Sequence, residues 1–147
     1  MVVTVSPELL APAAALVLWT LIVLLWLVVV RFGAFKAANI DLANAPPGGR
    51  GQDIEGLLPK KANWPSHNYS HLLEQPTLFY PTVIVLALLG AATPLNIALA
   101  WAYVALRVAH SLWQVNINTI PVRFMLFLTS TVALIILAAN AVIALLR

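Results

Sequence analysis

The sequence contains no cysteine and very little charge. None of its 147 residues is a cysteine, which excludes disulfides, thiolate metal sites and a thiol nucleophile supplied by the protein. Only 9% of the residues are charged, 62% are hydrophobic and the mean hydropathy is +0.94, whereas soluble domains are about 25% charged. The eight lysines and arginines form no dense cluster despite a net charge of +3, so we interpret them as topology determinants and expect no nucleic-acid partner.

This composition predicts an all-α integral membrane protein with one compact domain over residues 1–147 and membrane lipids as its surroundings. Leu9 to Val30 carries no charge and is long enough as a helix to cross a hydrocarbon core of about 30 Å. Similar reasoning gives a bundle of four transmembrane helices, which we call spans one to four, over approximately residues 7–35, 66–92, 94–117 and 120–146.

Prolines and helix caps predict how the spans are joined. Thr93 and Pro94 are typical of a helix start, so spans two and three should form a tight antiparallel hairpin. Pro76 and Pro81 lie inside span two, where each removes a backbone donor and should kink the helix or tighten it into a 3₁₀ turn.

Residues 37–65 form a polar loop, here called loop one, that determines the expected orientation. Lysine and arginine concentrate in and beside it, and such residues favour the cytoplasmic side of a membrane. We therefore expect loop one in the cytoplasm and both termini outside.

A polar stripe follows one face of span three at intervals of seven, four, three and four residues: Asn96, Tyr103, Arg107, His110 and Gln114. Arginine inside a span costs about 2.5–3.5 kcal/mol on insertion scales, so Arg107 should face protein, with Glu74 of span two as its expected partner. Such a buried ion pair could serve only to fix helix packing. Arg123, with no second acid nearby, is expected to meet an anionic ligand or a lipid phosphate. Small residues, which let another helix approach closely, also recur along span three at Ala98, Ala102, Ala105 and Ala109.

A competing interpretation uses the start of span two. His67, His71 and Glu74 recur at helical spacing and could offer three ligands to a metal ion. Three ligands from one helix seldom surround an ion without help from another element. Polar side chains at the end of a span also serve simply as anchors in the headgroup layer.

Three short motifs carry a family resemblance. The segments NYSHLLEQP, LRVAH and IPVRF occur in this order in a four-span chain. Together they resemble the MAPEG family, the membrane-associated proteins of eicosanoid and glutathione metabolism, over about residues 66–147, with weaker support from span one. The resemblance implies a bacterial-type member in the bacterial inner membrane, assembled as a homotrimer. It also implies glutathione as a co-substrate, held between neighbouring subunits on the cytoplasmic side.

The resemblance also implies roles for individual residues. Arg123 resembles the arginine that stabilises the glutathione thiolate and is the catalytic candidate. The candidates for binding glutathione are Arg31, His71, Glu74, Arg107, His110 and Gln114. Four positions depart from the family pattern: His71 replaces a common asparagine, Gln114 and Phe127 replace tyrosines of the eicosanoid enzymes, and Phe124 replaces the small hydroxyl residue that follows the arginine of span four in some members.

Two functions are compatible with these residues. The first is a glutathione-dependent transferase or peroxidase that acts on a lipophilic small molecule, an electrophile entering from the bilayer. The second is a non-catalytic trimeric scaffold, or a subunit of a larger membrane complex, in which the same polar residues hold the helices together.

Overall fold

The computed structural model describes residues 5–42, 44 and 47–147, and this part of the chain contains helices and no strands. The α-helices are α1 (Pro7–Ala37), α2 (Lys60–Glu74), α3 (Pro76–Leu88), α4 (Pro94–Asn116) and α5 (Ile120–Leu145). Helices α1, α4 and α5 are each long and apolar enough to cross a membrane. Helices α2 and α3 follow each other as the remaining span, which confirms the four-helix membrane bundle.

The second span is one helix whose hydrogen bonding is interrupted at Gln75. Gln75, between α2 and α3, has helical dihedral angles of −62° and −38°, so the chain continues in the same direction. The break arises because Pro76 has no N–H to donate to the carbonyl four residues earlier. Pro81 lies within α3 without interrupting it, so the kink or tightened turn predicted there stays a prediction.

Helix α2 begins at Lys60, earlier than the predicted Ser66, because contacts with loop one stabilise its first turns. The Asn63 side chain is buried, and its Nδ2 donates to the Glu55 carbonyl at 3.0 Å. Pro65 is accommodated inside the helix and is itself buried. Tertiary contacts here outweigh the local preference of proline for the helix start.

The described part of loop one, which lacks residues 43, 45 and 46, is attached to the end of α1. Arg31 donates through Nη1 to Ser66 Oγ at 3.0 Å and through Nη2 to the Gly51 carbonyl. A Cβ atom at Gly51 would lie 3.1 Å from Arg31 Nη1, so the close approach favours glycine. We call this end of the bundle the loop-one end.

Helix α4 occupies the centre of the bundle, where it packs along α5 and also contacts α1 and α2. Its Tyr103 ring stacks on Phe79 of α3 with centroids 4.4 Å apart. The predicted cap is confirmed, because Thr93 Oγ1 accepts from the Asn96 N–H at 3.2 Å. Beside this cap, at the end of the bundle opposite loop one, Asn140 Nδ2 donates to Asn96 Oδ1 at 2.7 Å and ties α5 to α4.

Candidate functional site

A cavity of about 390 Å³ opens between α2, α4 and α5 at the loop-one end. Its walls are His71 of α2, His110 of α4, and Ile120, Arg123, Phe124 and Phe127 of α5. The α5 residues recur at intervals of three, one and three, so they share one helix face. The volume lies within the range of roughly 300–1,000 Å³ that is usual for small-molecule sites.

The polar stripe of α4 supplies the inner wall of this region. Its five side chains are all buried, with exposed fractions of at most 3%, which confirms that the stripe faces the bundle interior. His110 lines the cavity directly. Arg107 lies one turn earlier in the helix, and Gln114 lies one turn later. Asn68 of α2 adds a further buried contact to α4, donating to Ser111 Oγ at 2.5 Å.

Arg107 is held by His71, and the contact fixes the histidine tautomer. Arg107 Nη2 lies 2.7 Å from the His71 carbonyl oxygen and 3.1 Å from His71 Nδ1. Because a guanidinium can only donate, Nδ1 must accept, and the proton of the neutral ring is on Nε2. His71 therefore lines the cavity as a ring whose remaining nitrogen is a donor.

Several buried polar atoms around the cavity make no hydrogen bond within the described part of the chain. They are Nε and Nη1 of Arg107, both ring nitrogens of His110, Oε1 of Gln114 and Nε of Arg123. Native structures rarely leave such groups unpaired, because each costs about 1–3 kcal/mol. This concentration of unpaired donors and acceptors is what a site for a polar ligand requires.

Arg123 stands at the mouth of the cavity, in the first turn of α5. Its Nη1 donates to Asn118 Oδ1 at 2.7 Å. Asn118 adopts a left-handed φ of 62° between α4 and α5, a conformation that asparagine tolerates better than most residues. Within the described residues Arg123 makes no ion pair with an acid, so its positive charge is available to a ligand.

Glu74 does not pair with Arg107, and that prediction is wrong for the described chain. Glu74 is exposed and makes no ion pair with any described residue. His71, one turn earlier on the same helix, occupies the position beside Arg107. Consequently none of the residues lining the cavity is acidic, and two guanidinium groups lie in or behind its wall.

Arg31 and His67 lie outside the cavity wall. Arg31 binds loop one and lies 3.7 Å from Glu55, whose other carboxylate oxygen is 2.9 Å from His67 Nε2. Since His67 contacts Glu55 while His71 contacts Arg107, the three proposed metal ligands do not converge. No group of three such side chains that could hold a metal occurs among the described residues.

A second depression lies directly beyond the polar cavity, between α3 and α5. This groove has a volume of about 550 Å³ and is almost wholly apolar. Thr131, Leu134, Ile135, Ala138 and Leu145 continue along α5 the face that begins at Ile120 and Phe127. One face of α5 therefore passes from a polar pocket at the loop-one end to an apolar groove within the bilayer.

Two polar residues at this junction, Gln75 and Thr131, were not recognised in the sequence. Gln75 Nε2 donates to Thr131 Oγ1 at 2.8 Å, and Tyr103 OH donates to Gln75 Oε1 at 3.3 Å. The available signal was a glutamine next to Pro76, at the start of an otherwise apolar helix.

These features define a class: a four-span membrane protein whose bundle carries an arginine-containing, acid-free pocket beside a groove that faces lipid. The chain belongs to the MAPEG family, which it matches over residues 9–143. No curated protein and no solved structure matches it.

Proposed function

We propose that this protein is a glutathione-dependent transferase or peroxidase that binds the glutathione thiol in the polar cavity. Membership of a family of glutathione and eicosanoid metabolism supports this reaction class. The observation that carries the proposal is the cavity wall itself, in which Arg123, His71 and His110 meet without any acid. An anionic ligand is the chemistry that such a wall favours.

Arg123 is the residue that activates the thiol in this proposal. A guanidinium beside sulfur stabilises the thiolate and lowers the pKa of the thiol, and the thiolate is the nucleophile. His71 assists as a neutral donor, because Arg107 holds its other nitrogen as an acceptor. His110 lines the cavity and offers a ring nitrogen to the polar backbone of the tripeptide, with Gln114 one turn behind it.

The groove supports a lipophilic second substrate. Its walls are apolar, it lies between α3 and α5, and it begins where the polar cavity ends. An electrophile dissolved in the bilayer would reach the groove without passing through water. Its reactive end would then lie within one helical turn of the cavity.

Assembly as a homotrimer in a bacterial inner membrane, with the loop-one end in the cytoplasm, completes the proposal. The four alanines of the small-residue face of α4, Ala98, Ala102, Ala105 and Ala109, are all exposed in the single chain, which leaves this face open to a neighbouring helix. Mass measurement in mild detergent should give three copies of the chain. A purely monomeric species that still bound glutathione would reject the placement of glutathione between subunits.

Glutathione titration of the purified protein tests the central claim. We expect saturable binding and the appearance of ultraviolet thiolate absorbance at neutral pH, whereas S-methylglutathione should bind without that absorbance. Lack of glutathione binding by the intact assembly would favour the scaffold function instead.

A further inference from the structure

The polar cavity and the apolar groove are separated by a single chain of hydrogen bonds. Along the second span the change from cavity to groove occurs between His71 and Gln75, and on α5 it occurs between Phe127 and Thr131. Each change takes four residues, or about one helical turn. The Gln75–Thr131 hydrogen bond therefore spans the bundle at the boundary between the two spaces.

The donors and acceptors of this chain are unambiguous. Tyr103 OH donates to Gln75 Oε1, and Gln75 Nε2 donates to Thr131 Oγ1. Thr131 in turn donates its hydroxyl proton to the Phe127 carbonyl at 2.8 Å. Because Tyr103 engages the amide oxygen, the amide NH₂ group is the end that faces α5 and the groove.

We propose that Gln75 is the residue that determines which electrophile the protein accepts, by donating a hydrogen bond to the electrophile's oxygen. This inference rests on the proposed function. A reactive carbon that arrives through the groove must pass the Gln75–Thr131 contact to reach a sulfur beside Arg123. A molecule with an acceptor oxygen next to that carbon takes the place of Thr131 on Gln75 Nε2, whereas a purely apolar one gains no hydrogen bond from the amide, which stays on Thr131.

The substrate class that fits is an α,β-unsaturated carbonyl compound with a long apolar chain. The thiolate sulfur forms a bond to the β-carbon, and the electrons of the C=C bond move to the carbonyl oxygen to give an enolate. Gln75 Nε2 donates to that oxygen as its charge develops. A proton from water then adds to the α-carbon and balances the proton released when the thiol ionised, so no group leaves.

Two variants with opposite expected effects test this role. Gln75→Met keeps a side chain of similar length but removes the amide. Thr131→Val keeps the shape of threonine but removes the acceptor, which leaves the amide of Gln75 free for substrate. Both variants lose the same Gln75–Thr131 hydrogen bond, so a merely structural role would affect them in the same direction.

The probes are nonenal, an α,β-unsaturated aldehyde, and iodononane, an alkyl iodide with the same chain length and no oxygen. For Gln75→Met we expect kcat/KM with nonenal to fall about tenfold, the usual effect of one lost hydrogen bond to substrate, with iodononane little changed. For Thr131→Val we expect kcat/KM with nonenal to rise by about two- to threefold. Glutathione affinity should be unchanged in both variants.

Thr82→Val is the matched control, because Thr82 also lines the groove but its hydroxyl donates to the Leu78 carbonyl of its own helix at 2.7 Å. It should leave the nonenal-to-iodononane ratio unchanged. The inference is overturned if Gln75→Met keeps the wild-type ratio, if both Gln75→Met and Thr131→Val lower nonenal turnover together, or if the wild type binds glutathione but conjugates neither probe. Absence of glutathione binding rejects the proposed function first, and this inference with it.

Discussion

Arg31 and Arg107 are both largely buried arginines, yet their surroundings differ. Both terminal nitrogens of Arg31 bind its own chain, and a carboxylate lies 3.7 Å away. Arg107 is 1% exposed, has no acid at ion-pair distance among the described residues, and leaves Nε and Nη1 without a hydrogen bond. The hydrogen bonds of Arg31 hold loop one against α1, whereas Arg107 keeps two unpaired nitrogen donors for a ligand.

The charge around each arginine explains this difference. Glu55 compensates the charge of Arg31 within the same subunit, although Nε of Arg31 also makes no hydrogen bond among the described residues. Arg107 donates to the His71 carbonyl and ring nitrogen and lies 6.0 Å from the centre of the Phe127 ring, and such dipoles compensate a buried charge less completely than a carboxylate does. A bound anion at the cavity would lower the electrostatic free energy of Arg107 and Arg123 together.

The largest effect is expected from Arg123→Leu. It removes the one guanidinium that lines the cavity, so glutathione affinity should fall about 100-fold, in line with the roughly 1.5–3 kcal/mol of a charged hydrogen bond. Titration calorimetry and thiolate absorbance measure the loss. The melting temperature should change little, because the hydrogen bond that Arg123 donates to a described side chain goes to the nearby Asn118. Arg50→Leu, which alters an exposed arginine of loop one, is the control, and equal losses in both variants would contradict the assignment.

Arg31→Leu should lower the stability of the fold more than it lowers glutathione affinity. It leaves the partly buried Glu55 without its cation and detaches loop one, so the free energy of unfolding should fall by about 1–3 kcal/mol. Thermal unfolding in detergent measures this change.

Arg107→Leu removes a buried cation and strands no carboxylate, so it should destabilise the fold less than Arg31→Leu does while weakening glutathione binding. If Arg107→Leu proves the more destabilising of the two, Arg107 is primarily a packing residue.

The smallest effect is expected at the end of the bundle opposite loop one. Asn140→Ala removes the hydrogen bond to Asn96, and interhelical hydrogen bonds in membrane proteins are worth about 0.6 kcal/mol. Unfolding stability should drop by about that amount, with glutathione affinity unchanged. A clear loss of glutathione binding in this variant would show that the two ends of the bundle are coupled.

Much of the site could be predicted from helical spacing, and the rest could not, for geometric reasons. The buried stripe of α4 follows directly from the intervals between its polar residues. Whether His71 or Glu74 meets Arg107 depends on the rotation of α2 about its axis, since both residues lie one turn apart on the same face. Periodicity does not specify that rotation. The groove was missed because it depends on the separation between α3 and α5, which no local pattern reports.

The early start of α2 was missed for a related reason. Its first turns are stabilised by residues of loop one, including Glu55, whose carbonyl accepts from Asn63. Pro65 locally disfavours a helix that continues through it, and the contact between Asn63 and Glu55 outweighs this preference. Errors of this kind concentrate where loop and helix stabilise each other.

The break at Pro76 has a consequence for how the chain enters its membrane. Of the helices described, α1, α4 and α5 qualify as spans by length and hydropathy, whereas α2 and α3, of 15 and 13 residues, are each too short to cross a bilayer alone. The first of them begins with Lys60 and Lys61 and is largely polar, so it gives insertion machinery a weak signal. Only a short turn, Leu89–Thr93, joins α3 to α4. The interrupted span is therefore expected to enter the bilayer together with α4 as a helical hairpin, so that the buried polar side chains of α4 meet their partners during insertion and are not presented singly to lipid.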